Sequence, residues 1–220
     1  MGPTSNILLF APILLFSVVI HEYAHARVAL AQGDDTALLL GRVTLNPLRH
    51  IDPIGTVLVP LGLWAMQAGF LFGWARPVPI DPRNFRNYRR GDILTSLAGV
   101  AANFALAAVC TIAVIVLLRI QGAMDATSGV ITALVRMARF GILFNLILGV
   151  FNLVPLPPLD GSHVLYHFLP HELGARYREL GRFSFVFLAA ILFVPGILDA
   201  IFYPVGVLMG AADWMIDLLA

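Results

Sequence analysis

Hydrophobic and polar positions along this chain are segregated into long blocks. Five uncharged stretches approach the roughly 20 apolar residues that a membrane span needs. They are the start through Ile20, Pro53 to Ala75, Ile93 to Leu118, Phe140 to Leu159, and Phe183 to Leu198, the last extended beyond Asp199 by IFYPVGVLMGAA. The run from Ile7 to Ile20 has Ser17 as its one polar side chain, too hydrophobic a pattern for one face of a soluble helix. Between the blocks lie short polar connections. Leu38 to Pro47, LLLGRVTLNP, alternates and carries β-branched residues, which predicts a short membrane-edge strand or β-hairpin closed by Asn46-Pro47. Phe72 to Gly91 is rich in Pro and Arg and predicts an interfacial loop, with Trp74 and Tyr88 at headgroup level. Glu172 to Arg182 predicts an amphipathic helix lying on the membrane surface. Phe183 onward reads as one span kinked at Pro195-Gly196 or as two shorter segments.

Composition narrows the class. With 59% hydrophobic and 12% charged residues among 220, the chain is far from the soluble norm of about a quarter charged. The expected fold is an all-α polytopic membrane protein, a transmembrane helix bundle with that β-hairpin and a re-entrant segment. No repeat or linker divides it, so residues 1–220 read as a single domain, with a core at about 5–168 and C-terminal membrane segments at about 183–220. Nothing suggests a nucleotide-binding domain, and the basic loop between spans reads as a membrane anchor rather than a nucleic-acid surface. The single cysteine, Cys110, excludes an internal disulfide and a thiolate metal cluster, so any metal must be held by His, Asp or Glu.

The candidate chemistry begins at the end of the first block, with His21-Glu22-Tyr23-Ala24-His25. On a helix, residues i and i+4 share a face about 6 Å apart along the axis, so the two imidazoles can converge on one ion. Glu22 lies close by, free to handle protons. Burying two His and a Glu in a membrane helix is costly unless they are partnered, which argues against a chance motif. A cleavable signal peptide is disfavoured by the missing basic n-region. A proton-relay or transporter helix would use the same residues and stays open until a third ligand is found.

That candidate stands after the fourth block, in Phe151 to Gly161, FNLVPLPPLDG. Three prolines in four positions break the helix beside a lone carboxylate, Asp160. Asp160 reads either as a cap of the following helix or as a third ligand that leaves a fourth position open for water. In the second case both ligand sets must meet at one depth. If the first span runs inward, Phe140 to Leu159 must also run inward and Ile93 to Leu118 outward, which makes Pro53 to Ala75 re-entrant. Eleven arginines then fall inside, and only Arg119, Arg136 and Arg139 outside, as the positive-inside rule asks.

HEYAH, TLNPLRHIDPIGT from Thr44, FGWARPVP from Phe72, SLAGVAAN from Ser96 and FNLVPLPPLDG from Phe151, in this order, resemble the site-2 protease family of intramembrane zinc metalloproteases, peptidase family M50, and its small prokaryotic members. The resemblance spans about residues 15 to 165. It implies one zinc ion per chain held by His21, His25 and Asp160, with Glu22 as general base. It also implies that Asn152 and Asn103 lie near the site in a substrate or oxyanion role. The family often has Pro where this chain has Val100, and for Asn103 a hydrogen bond between helices is an equal expectation. His50 reads as an auxiliary residue or an interfacial side chain near Asp52.

The implied activity is zinc-dependent cleavage within or near the transmembrane segment of a membrane protein such as a tethered transcription factor or anti-sigma factor. The implied setting is a prokaryotic cell membrane, with the site opening toward the cytoplasm. An edge strand at Arg42 to Leu45 would hold an unwound substrate by strand addition. The alternative from another class is a non-proteolytic transporter or scaffold with a proton path.

Overall fold

A computed structural model describes residues 3–66, 73–123, 129–194 and 196–220. Among these residues the α-helices, in chain order, are α1 (Pro3–Gln32), α2 (Thr36–Leu39), α3 (Val59–Ala65), α4 (Tyr88–Ala123), α5 (Gly129–Asn152), α6 (Asp160–Tyr166), α7 (His171–Glu179), α8 (Ser184–Phe193) and α9 (Ile197–Leu219). Only α1, α4, α5 and α9 are long and apolar enough to cross a membrane. Helices α1 and α4 extend past the uncharged blocks that predict them, because a helix continues through polar residues where neighbouring helices supply partners, and HEYAH lies inside α1.

Cross-helix contacts fix the relative directions. Phe10 stacks on Phe140, and Ser17 accepts a hydrogen bond from Asn145, so α1 and α5 run parallel. His21 meets Asn103 and His25 meets Thr95, so α4 runs antiparallel to α1. Helix α9 runs with α4: Phe202 stacks on Phe151 near one end, and Arg119 donates to the carbonyl of Leu219 at the other. This is the arrangement that a common depth for His21, His25 and Asp160 requires.

The α4–α5–α9 seam is packed by Ala107, Val114, Ala138, Ile142, Leu146, Val150, Val205, Ala212 and Ile216. Small residues set the approach, since a Cβ on Gly141 would lie 2.7 Å from the Cys110 sulfur. On the outer faces Val109, Ile112 and Val116 of α4 and Val207 and Leu218 of α9 are exposed, as lipid-facing side chains must be.

Between α2 and α4 the chain does not span. A six-residue π-helical stretch, Pro53–Leu58, runs into the seven residues of α3, together about 20 Å long and short of a bilayer core of about 30 Å. The Trp74 N–H then donates to the Gly55 carbonyl at 3.1 Å, and the Thr56 hydroxyl to the Trp74 carbonyl at 2.8 Å. Trp74 thus lies back at the start of this segment, as in a re-entrant segment; residues 67–72 lie outside the described residues.

One expectation is corrected. The β-hairpin at Leu38 to Pro47 is absent, and no strand occurs among the described residues. Side chains capture this backbone instead. Asp34 accepts from the N–H and hydroxyl of Thr36 to start α2, Gly41 at φ 63° turns the chain, and Asn46 caps the 3-10 turn Pro47–Arg49. The carbonyl of Thr44 is taken by His50, so strand addition at Arg42 to Leu45 also falls away. Leu38, Leu39 and Leu40 are all exposed, so the apolar character suits a membrane boundary rather than a sheet face. Of the two readings of the C-terminal region, the described residues form the two-segment one, α8 and α9. Gly196 adopts a left-handed φ of 83° between α8 and α9, and only α9 has spanning length.

Candidate metal centre

Helix α1 presents His21 and His25 to α4, one turn apart, with rings edge-to-face and centroids 4.5 Å apart. The third group arrives by a forced turn. Helix α5 ends at Asn152, Pro155, Pro157 and Pro158 deny it continuation, and α6 restarts at Asp160. Gly161 fixes the angle: a Cβ there would sit 2.2 Å from the Leu153 carbonyl oxygen, so only glycine lets α6 press against the end of α5. Farther along, His163 and His167 grip the buried carboxylate of Asp92 on α4 at 3.3 and 2.7 Å. The hydrogen bond to that carboxylate holds the His163 imidazole above its ordinary pKa, which favours an ion pair. Asp160 is thereby latched to α4 as well as to α5.

The result is a convergence of His21, His25 and Asp160, whose candidate ligand atoms all lie within 4.8 Å of one another. Asp160 Oδ2 stands 3.4 Å from His21 Nε2 and 3.3 Å from His25 Nε2, and the two Nε2 atoms are 2.9 Å apart. Both histidines are buried, at 7% and 6% exposure.

The tautomers follow from the far side of each ring. His25 Nδ1 lies 2.7 Å from the Thr95 carbonyl, and His21 Nδ1 lies 2.6 Å from Asn103 Oδ1. Both partners are acceptors, so both Nδ1 atoms carry a proton, and in the neutral rings both Nε2 atoms are bare. Two nitrogen lone pairs and a carboxylate oxygen thus face one point with no donor among them. Asp160 Oδ2 is buried and has no hydrogen-bond partner. Such a set is repulsive unless a cation lies among it, and two imidazoles with one carboxylate suit a divalent ion with an open position. Space is reserved for it by Gly99 of α4, where a Cβ would fall 2.4 Å from His25 Nε2 and 2.6 Å from His21 Cε1.

Comparison with known proteins shows the family. The profile of Peptidase family M50 matches residues 118–194, which include Asp160. "Putative zinc metalloprotease YwhC" of Bacillus subtilis (strain 168) is 38% identical over 182 residues, 83% of this chain and 78% of that protein. The chain belongs to peptidase family M50. "Putative zinc metalloprotease Rip2" of Mycobacterium tuberculosis (strain ATCC 25618 / H37Rv) is 31% identical over 204 residues, 93% of this chain and 71% of that protein. No solved structure matches. Membership in M50, with four apolar helices of spanning length, makes this a multi-pass membrane peptidase and leaves the transporter reading without support.

The remaining residues of this M50 chain have distinct places. Glu22 is half-buried, and its Oε2 accepts the Val78 N–H at 2.8 Å, which holds the carboxylate against the extended segment before α4. That segment is itself pinned: Arg42 donates to the carbonyls of Arg76 and Pro77, and Asp34 accepts from the Asp81 N–H and the Asn84 amide. Asn103 is turned into the bundle. It is 0% exposed, with its oxygen on His21 and its amide nitrogen on Asn145, so it stands behind the histidine. Asn152 closes α5, donates to its own helix at Leu148 and makes no hydrogen bond to the three converging residues. His50, only 1% exposed, is neither interfacial nor part of the cluster. Its Nε2 staples the Thr44 carbonyl, and its own carbonyl accepts from Arg76.

Sequence reasoning missed Asn145, Thr95, Gly99 and the Asp92–His163–His167 latch. Asn145 carried a usable signal, a lone amide in an apolar stretch, which must find a partner inside a membrane. Thr95 acts through its backbone, and Gly99 through having no side chain, so neither leaves a chemical trace.

Proposed function

We propose that this chain is a single-domain zinc-dependent endopeptidase that hydrolyses a peptide bond within or near the transmembrane segment of a membrane-protein substrate. The observation that carries the reading is the donor-free meeting of two bare imidazole nitrogens and an orphaned carboxylate oxygen inside a helix bundle. His21, His25 and Asp160 would hold one zinc ion, the metal in the names of the relatives. When bound there, zinc supplies a water acidified toward neutrality and a Lewis acid for the scissile carbonyl.

The chain's own residues do the rest. Glu22 accepts the proton of the attacking water and returns it to the leaving amine, as the one carboxylate beside the site that no ligand position claims. The Val78 N–H holds one of its oxygens and leaves the other free. Asn103 and the Thr95 carbonyl keep the imidazoles from rotating. Helical substrate hides its carbonyls in hydrogen bonds, so cleavage needs local unwinding, and Asn152 stands at the broken end of α5 as a candidate contact for the freed backbone.

Arginine placement supports one orientation. Eleven of the fourteen lie at or beyond the Gln32 end of α1 and the Tyr88 end of α4, and Arg119, Arg136 and Arg139 lie toward the other end of the bundle. By the positive-inside rule the site opens toward the cytoplasm of a prokaryotic cell membrane, where a tethered transcription factor or anti-sigma factor would be released. The test is Glu22→Gln. Purified variant is expected to retain zinc and to lose about 10³-fold in cleavage of a reconstituted transmembrane substrate, within the range for a general base. Retained cleavage would overturn the assigned mechanism.

A further inference from the structure

Three polar side chains at or below 1% exposure lie behind His21 in the middle of the bundle: Ser17 on α1, Asn103 on α4 and Asn145 on α5. No mechanism step uses Ser17 or Asn145. Their hydrogen bonds nevertheless form a directed chain with one self-consistent solution.

The starting point is the Gly141 carbonyl, which can only accept. It lies 2.8 Å from one end of the Asn145 amide, so that end is Nδ2, which also donates to Ser17 Oγ at 2.9 Å. The other end, Oδ1, therefore faces Asn103 at 2.9 Å, and Asn103 must turn its Nδ2 toward it. This leaves Asn103 Oδ1 facing His21 Nδ1 at 2.6 Å, and Oδ1 can only accept. His21 Nδ1 must carry a proton, so in the neutral ring Nε2 is the bare nitrogen. Reversing any amide would set oxygen against oxygen or donor against donor in a site with no water to relieve it. His25 reaches the same tautomer in one step, through the Thr95 carbonyl.

We propose that Asn145 is a positioning residue that fixes the His21 tautomer through Asn103, so that a backbone carbonyl of α5 determines which nitrogen of α1 is available to the metal. The proposal rests on the metal-site reading above, and it adds a residue that touches neither metal nor substrate. Without Asn145, Asn103 is free to flip and offer Nδ2 to His21. His21 then carries its proton on Nε2, where it blocks the site. Ser17 completes the amide's donors, while the Gly141 carbonyl sets their direction.

The experiment uses full-length protein in detergent or nanodiscs, with ¹⁵N-labelled histidine and zinc as the probe. In metal-free wild type, the His21 resonances are expected to report protonated Nδ1 and bare Nε2. In Asn145→Leu, Nε2-protonated His21 is expected to appear, and zinc affinity is expected to fall about 10- to 100-fold, the usual cost of losing an outer-shell partner. Asn145→Asp keeps an oxygen facing Asn103 and, as the neutral acid, an O–H for the Gly141 carbonyl; it is expected to restore most of the affinity. Wild-type His21 protonated on Nε2 would overturn the proposal, as would a folded Asn145→Leu that binds zinc like wild type. If Asn145→Leu does not fold, the wild-type tautomer and the Asn145→Asp affinity decide. Wild type that takes up no zinc would instead refute the metal-site reading, and the tautomer of the metal-free protein would still test the relay.

Discussion

Helices α4 and α5 meet in two chemistries along one seam. Near Asn103 and Asn145 the interface is polar, each amide is fully committed, and the chain of donors ends on a candidate metal ligand. Toward the other end of the pair, Ala107, Val114, Ala138 and Ile142 form an apolar contact with α9. The apolar region is held by shape alone, since lipid is as apolar as the side chains and gives no driving force from water. Many packings serve it nearly as well. The polar region admits one arrangement of its amides, because the Gly141 carbonyl can only accept and so orients Asn145 and, through it, Asn103. One half of the seam holds the bundle together, and the other specifies a protonation state.

Substitutions can break that contrast. The largest effect on the metal is expected from Gly99→Ala, whose Cβ would intrude 2.4 Å from His25 Nε2. Zinc binding should be lost, as with removal of a ligand, and the same clash should cost the apo protein about 1–3 kcal/mol of stability, read from its thermal unfolding transition. A comparable loss is expected for Asp160→Ala, beyond the roughly 10- to 100-fold of an outer-shell change, measured by competition with a chelator. Ile142→Ala departs from this pattern: it should destabilise the bundle by about 2 kcal/mol, at the low end for such a truncation, with zinc affinity unaltered. The smallest effect belongs to Arg139→Ala. Its ion pair with Asp213, at 2.9 Å, is solvent-exposed on both sides and should contribute less than about 1 kcal/mol to stability. A large loss of zinc in Ile142→Ala, or none in Gly99→Ala, would erase the distinction between the two regions.

The same contrast explains how far the sequence was legible. The convergence of His21, His25 and Asp160 could be read because the i,i+4 spacing, the proline break and the arginine distribution each constrain one depth. The β-hairpin was misread because alternating Leu and Val look alike on a sheet face and at a membrane boundary, and the decisive captures by Asp34, Asn46 and His50 are long-range or local side-chain bonds without a period. The length of α9 was obscured by Asp199, which sits in its first turn, and by the break at Gly196. Asn103 was placed near the site, yet its side chain turns into the bundle, because nothing in a motif says whether an amide faces a ligand or the ring behind it.

The central claim is that His21, His25 and Asp160 hold one zinc ion. X-ray absorption on purified, zinc-loaded protein tests it most directly. The account predicts one zinc per chain, with two imidazole nitrogens and oxygen ligands that include a carboxylate lost in Asp160→Ala. Zinc well below one per chain, a sulfur ligand from Cys110, or a coordination shell indifferent to Asp160→Ala would contradict it.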